Sequence, residues 1–360
     1  MRGRKMKNTT ERQKTSRESR APSRLPKIQE NPIGELHAEE ETFLKRTRTN
    51  KKAAVISAAV IAFFALIIYL NDALFHFDFI PTWNDVYDFA GFSETAGGLT
   101  AEGEISVHYI DVGQGDCAFV KTDGMNVLID SGEYTAAENV IAYLSDLGID
   151  RLDMVIASHP HSDHIGSMNK VIDKFGADVV VMPKLTAEMI PTTSSYEKLL
   201  KSIKKCGGKI EYAKVGAVYE LAEGCEIEII APVKDYDDLN NYSIVARLRH
   251  GNKSFLFTGD IEKTAERDIL DSGMDISADV LKVAHHGSHT SSLKAFLQAV
   301  NPEYAVISVG SPNDYGHPHK ETTKLLDKLG ITIYRTDIDG SIVFISDGEN
   351  LRIVTQKEAA

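Results

Sequence analysis

Apolar residues in the last two thirds of the chain recur in two rhythms. ISVHYIDV (105–112), CAFVKT (117–122), NVLIDS (126–131) and MVIASH (154–159) are short β-rich runs, and alternate side chains of such extended segments face opposite sides. AAENVIAYLSDLG (136–148) spaces its apolar residues three and four apart and stops at Gly148, the pattern of a helix with its terminator. The strand rhythm returns in EIEIIAPV, DVLKVAHHG, YAVISVG, TIYRT and SIVFIS, and SIVARLRHGNKSFLFTGD reads as a hairpin turning at Gly251-Asn252. Further helices are predicted at 165–175, 193–206, 261–272, 291–300 and 320–330. The expectation is a layered α/β domain over residues 104–357, with reactive side chains where strands end.

Upstream the pattern changes. AAVISAAVIAFFALIIYL, residues 53–70, carries no charge, and a membrane-spanning helix needs about 17–25 such residues. Residues 1–52 hold 15 Lys/Arg against 7 Asp/Glu, a net of +8, while the remainder holds 25 against 45, a net of -20. KRTRTNKK (45–52) directly precedes the apolar run, so the positive-inside bias predicts a cytoplasmic N-terminus and a single-pass protein of the cell membrane, its folded part extracellular. The tail at 1–52 has too little apolar content for a core and reads as disordered. Residues 71–103 read as a juxtamembrane segment and linker. Three cysteines make no disulfide framework; one bridge, Cys206 with Cys225, is left open.

The chemistry concentrates in HPHSDH, residues 159–164. His159 and His161 share one side of an extended segment, and Asp163 and His164 follow as the chain turns into a helix. Imidazole and carboxylate together suit Zn, Mn or Fe. Two later strands end on matching groups, FLFTGD at Asp260 and VLKVAHHG at His285 and His286.

HxHxDH, then TGD, then HHGS is the order of the metallo-β-lactamase superfamily. With YIDVGQGDCAFV (109–120), NVLIDSG (126–132), NNYSIVARL (240–248) and YGHPH (315–319), the chain resembles the hydrolase domain of ComEC-type DNA-uptake proteins over about residues 104–355. The resemblance implies an αββα sandwich with a dinuclear site for two divalent metal ions, Zn or Mn. His159 and His161 would serve the first ion, Asp163, His164 and His286 the second, and Asp260 would bridge them. Asp130 would orient a ligand histidine. Many members give the first ion a third histidine, where this chain offers Asn240 or Asn241. His285 would be a proton donor, a hydrogen-bond partner or a packing group. His317 of YGHPH is either solvated at a helix entry or placed to bind phosphate or protonate a leaving group, and Lys282 is a candidate for stabilising charge.

Two adjacent cations acidify water and clamp the oxygens of a displacement, so the expected activity is a membrane-anchored nuclease or phosphodiesterase using a metal-activated water, with Asp163 or Asp260 orienting it. A body of net -20 repels polyanions at long range, which keeps two alternatives: an envelope phosphodiester hydrolase of the phosphorylcholine-esterase kind, and a non-catalytic surface protein stabilised by its metals.

Overall fold

The computed structural model describes residue 101 and residues 103–357. The basic tail (1–52) and apolar segment (53–70) lie outside these residues, as does the linker (71–103) apart from Ala101 and Gly103. Among the described residues no helix is long and apolar enough to cross a membrane.

The chain begins with a meander, β1 (Ile105–Tyr109), β2 (Ala118–Lys121) and β3 (Asn126–Ile129), then crosses through α1 (Ala137–Asp146) to β4 (Met154–Ile156). Helices α2 (Ser162–Ile165) and α3 (Met168–Phe175) lead to β5 (Val179–Met182), and α4 (Ser194–Cys206) leads to β6 (Lys209–Tyr212). A second run follows: β7 (Val218–Ala222), β8 (Cys225–Ala231), β9 (Val245–His250), β10 (Lys253–Phe257), α5 (Lys263–Ser272), β11 (Val280–Lys282), α6 (Lys294–Val300), β12 (Tyr304–Ile307), α7 (Lys320–Lys328), β13 (Thr332–Arg335) and α8 (Thr336–Asp339). Finally β14 (Ile342–Ser346) and β15 (Leu351–Thr355) return to the first sheet. One sheet has eight strands in the order β15-β14-β1-β2-β3-β4-β5-β6, the other seven in the order β13-β12-β11-β10-β9-β8-β7.

Period-two alternation explains the layering. In β1, Ile105, Val107 and Tyr109 join the core between the sheets, and in β2, Val120 does the same while Phe119 faces the helices. Three buried apolar clusters result. One lies between the sheets, one lies between the first sheet and α1, α3 and α4, and one lies between the second sheet and α5, α6 and α7. The architecture is the αββα sandwich. Each fully buried aliphatic or aromatic side chain contributes about 1.5–3 kcal/mol, so the three cores can hold polar groups in costly positions at their edge. β9 and β10 pair from His250 opposite Lys253, a hairpin turning at Gly251 and Asn252. Strands β6, β7 and β15 carry weaker apolar patterns than the runs singled out above, whereas β5, VVVM, is as apolar as they are.

Cys206 and Cys225 are not bridged. All three cysteines are free; Cys225 is buried between the sheets, whereas the Cys206 thiol donates to the Ile203 carbonyl at the end of α4.

Candidate metal centre

β3, β4, β10, β11 and β12 deliver their C-terminal ends to one edge of the sandwich. Asp130 follows β3, Ser158 to His164 follow β4, Asp260 follows β10, His285 and His286 follow β11, and Ser308 follows β12. The local backbone is forced. Asp130, His285 and His286 all adopt positive φ, between 53° and 56°, a conformation that costs a non-glycine residue about 1–3 kcal/mol and persists where the surroundings impose it. Gly115 (φ 140°) explains the GQGD turn: a Cβ there would lie 2.3 Å from the Asp163 carbonyl oxygen. That close approach lets the Asp116 N–H donate to Asp163 O at 3.0 Å.

Asp163, His164, Asp260 and His286 converge, each offering one ligand atom within 4.8 Å of the others. Their hydrogen bonds fix which atoms face inward. His164 Nδ1 donates to Asp130 Oδ2 at 2.8 Å, and Asp130 also accepts from Ser158 N at 2.8 Å and Ser158 Oγ at 2.5 Å. His286 Nδ1 donates to Ser308 O at 2.9 Å. With both Nδ1 protons committed, the two Nε2 lone pairs point at carboxylates: His164 Nε2 is 3.2 Å from Asp260 Oδ2, and His286 Nε2 is 3.2 Å from Asp163 Oδ2. His164 Nε2 and Asp260 Oδ1 are buried without hydrogen-bond partners.

Lone pairs facing lone pairs in a buried site repel unless a positive charge lies among them. Burial lowers the proton affinity of His164, yet Asp260, Asp130 and Asp163 outweigh it and hold its pKa well above the ordinary imidazole value. His286 is raised in the same way by Asp260 and Asp116. Burial raises the Asp260 carboxyl, but His164 and His286 pull it well below the usual carboxylate range, and Asp163 is lowered against its burial by the same pair. A pull on protons of this kind is equally a pull on cations, so the residues fit a divalent metal.

His159 and His161 lie beside this cluster. His159 Nε2 is 3.0 Å from His161 Nδ1 and 3.9 Å from Asp260 Oδ2, while His159 Nδ1 meets the hydroxyls of Ser158 at 3.1 Å and Ser243 at 3.2 Å. Burial holds both imidazoles below their ordinary pKa, so both are neutral and able to coordinate at pH 7. No third imidazole joins them from the segment between: His250 bonds Ser346 at 3.0 Å. Asn241 is not available either, because its amide oxygen accepts from Glu262 N and Ala265 N at the start of α5 and its amide nitrogen donates to Asp238. Asn240 has a buried amide oxygen with no partner, and nothing in the structure ties it to the histidines.

Lys282 is not at the mouth of the site. It is 3% exposed; its Nζ pairs with Asp116 Oδ1 at 2.9 Å and donates to Val283 O at 2.9 Å. The rim is made of other groups. His285 sets Nδ1 3.2 Å from Thr290 Oγ1 and 3.4 Å from Glu262 Oε1, and Nε2 3.8 Å from Asp260 Oδ2. His317 packs edge-on against His285 at 5.6 Å and stacks on exposed Tyr315. Burial, with His286 and His285 nearby, pushes the His317 pKa down to about 4, so its ring is neutral at pH 7. A cleft of about 220 Å³ opens beside Asp163, lined also by Gln114, Glu133, Asn313, Asp314 and Tyr315.

Sequence reasoning missed the supports: Asp116, Ser158, Ser243 and Ser308. Only Asp116 left a signal, a carboxylate after two closely spaced glycines at the head of an apolar strand.

Residues 110–311 match the family described as Metallo-beta-lactamase superfamily. The chain is 34% identical over 265 residues to ComE operon protein 3 of Bacillus subtilis, covering 68% of this chain and 33% of that protein. It is 32% identical over 269 residues to Competence protein ComA of Neisseria gonorrhoeae, covering 71% and 34%. The chain thus spans about a third of the length of these curated relatives. Among solved structures it matches the metallo-beta-lactamase fold protein YhfI from Bacillus subtilis at 13% identity and a TM-score of 0.45, covering 68% of this chain and 100% of that one.

Proposed function

Since the chain belongs to the metallo-beta-lactamase superfamily, we propose that it is a metal-dependent phosphodiester hydrolase acting as a nuclease, anchored by residues 53–70 with its folded part outside the membrane. The observation that carries this reading is the convergence of Asp163 with buried His164, Asp260 and His286, with unpartnered ligand atoms on His164 and Asp260. Similarity to two competence proteins supports nucleic acid as the substrate.

In this reading Asp163, His164, Asp260 and His286 would hold one divalent ion, and His159 and His161, beside Asp260, would serve a second. With fewer ligands, the latter would be the weaker site. The bound ions supply Lewis acidity toward water and phosphate oxygen. The chain supplies the rest. Asp163, partly exposed and ionised, orients the attacking water. His285, held by Thr290 and Glu262, gives a proton to the departing oxygen. Neutral His317 donates a hydrogen bond to phosphate.

Glu133 and Asp314 in the cleft lining favour one further reading, a substrate whose alcohol carries a cationic head group. The test incubates the full-length chain with Mn²⁺ or Zn²⁺, and with chelator, on single-stranded DNA, duplex DNA, bis-p-nitrophenyl phosphate and p-nitrophenyl phosphorylcholine. The expected result is metal-dependent DNA cleavage that Asp260→Ala abolishes. Turnover of the choline ester without DNA cleavage moves the substrate to the cationic class. Silence on all four with metal bound overturns the hydrolase reading in favour of a binding protein.

A further inference from the structure

The two histidines of the four-residue cluster are supported unequally. Behind His164 stands Asp130, whose other partners are the neutral N–H and O–H of Ser158. Asp130 is thus the carboxylate hydrogen-bonded to that imidazole, and Asp116 also lies within 4.8 Å of both. Behind His286, Nδ1 donates to the Ser308 carbonyl at 2.9 Å, while Asp116 Oδ1 lies 3.2 Å away as a charge neighbour without making a hydrogen bond, and Asp116 is met by the Lys282 ammonium at 2.9 Å. The net charge there is zero. Asp116 is 6% exposed, Lys282 3% and His286 1%, so these charges act across protein and are little screened by salt.

A buried ion pair rarely adds stability over well-packed apolar residues of the same volume, because both charges are desolvated. A stability role therefore does not explain why a carboxylate and an ammonium sit in the core against a metal-facing imidazole. Their position does. Lys282 ends β11, four residues before His286, and Asp116 closes the GQGD turn that is pinned to Asp163 O, so the pair links the strand carrying one cluster residue to the loop beside another.

We propose that Asp116 and Lys282 form a charge-neutral buried support that orients His286 and sets the cation affinity of the four-residue site. The proposal rests on the metal-binding reading above and assigns Lys282 to positioning rather than to contact with substrate. Its signature is a pattern of signs. Asp116→Asn leaves the ammonium uncompensated near the cation, and affinity falls roughly 10- to 100-fold, the usual scale for residues behind a ligand. Lys282→Met leaves the carboxylate uncompensated, and affinity stays equal or rises. The double variant removes both charges and returns to within a few-fold of the wild type.

The experiment measures Mn²⁺ or Zn²⁺ dissociation constants by competition with a coloured chelator on the full-length chain, for wild type, both single variants and the double variant, with circular dichroism confirming fold. Either single variant buries an unpaired charge and can fail to fold; the charge-free double variant and Lys282→Arg, which keeps the pair, then carry the test, with both expected near wild-type affinity. The proposal is overturned if Asp116→Asn binds as tightly as wild type, or if the folded double variant loses affinity as fully as Asp116→Asn does. A KM increase on phosphodiester with unchanged metal affinity in Lys282→Met returns that residue to substrate contact. Absence of metal binding by the wild type defeats the underlying metal reading instead.

Discussion

The floor of the site and its rim are built on different physical terms. On the floor, His159, His164, Asp260 and His286 are at most 2% exposed, and each imidazole has its Nδ1 fixed by a neighbour on a different element. On the rim, His285, His317 and His319 lean on one another and on Tyr315 through ring contacts at 5.0–5.6 Å, and His289 meets His319 at 4.4 Å. Ring contacts of this kind contribute about 0.5–1.5 kcal/mol each, whereas a buried polar group stripped of its partner costs about 1–3 kcal/mol or more. In the proposed reading the floor is the part that would decide whether a cation is held, and the rim the part that would decide what reacts.

Separating these roles most sharply is the leaving group. If His285 supplies the departing oxygen with its proton, His285→Asn lowers kcat on an oligonucleotide by about 10²- to 10⁴-fold. The same variant loses far less on bis-p-nitrophenyl phosphate, whose nitrophenolate departs without protonation. Metal affinity stays near wild type. Equal losses on both substrates, or a parallel loss of metal, would place His285 with the floor.

A smaller effect is expected from the floor's own support. Asp130→Asn keeps the shape but weakens the acceptor that fixes His164 Nδ1, so metal affinity and kcat/KM should fall together by roughly 10- to 100-fold. Substrate preference between oligonucleotide and small diester should not change. A shift in that preference with metal affinity intact, measured by chelator competition, would dissolve the division between floor and rim.

Much of the floor was legible because each of its groups ends an apolar run: HPHSDH after β4, TGD after β10, HHGS after β11. Strand ends are marked by pattern, and pattern survives in sequence. The supports were not legible, for a physical reason. Ser158, Ser243 and Ser308 act through single hydroxyls or carbonyls brought together from β4, the loop before β9, and β12, and a lone serine carries no signal of its partner. The place of Lys282 was hidden for a related reason: a lysine three residues before an HH pair is a candidate for stabilising charge, and its partner leaves no mark beside it. β11 is covered on both faces, so all three of its residues are buried and the ammonium turns to Asp116. The αββα layering followed from the alternation of strands and helices together with the resemblance, while register and the order of the two sheets depended on pairings far apart in the chain.

The last expected effect is on stability rather than on binding or turnover, and concerns how the rim loop is held. Glu266, on α5, is buried and accepts from Ser292 N at 2.6 Å and Leu293 N at 2.7 Å, just beyond the loop carrying His285, His286 and His289. Burial dominates and raises its pKa from 4.5 to about 7, against those two hydrogen bonds and the nearby Lys263 and Arg267. A carboxyl raised in the folded state binds more protons there than in the unfolded chain between the two values. Stability therefore falls as pH climbs from about 4.5 to about 7 and levels above, by roughly 2–4 kcal/mol at ~1.4 kcal/mol per pKa unit. Asp163 and Asp260, depressed by His164 and His286, have the opposite sign: their contribution is present above the unfolded carboxyl value of about 3.9 and is lost as pH falls through the depressed one. Urea unfolding of the metal-free chain across about pH 2–8 separates the two. Glu266→Gln should flatten the decline toward neutral pH while leaving the acid limb in place, because glutamine keeps one acceptor for the loop and has no proton to lose. An unchanged slope would mean that the loop is anchored without cost, and that rim and floor share one pH response.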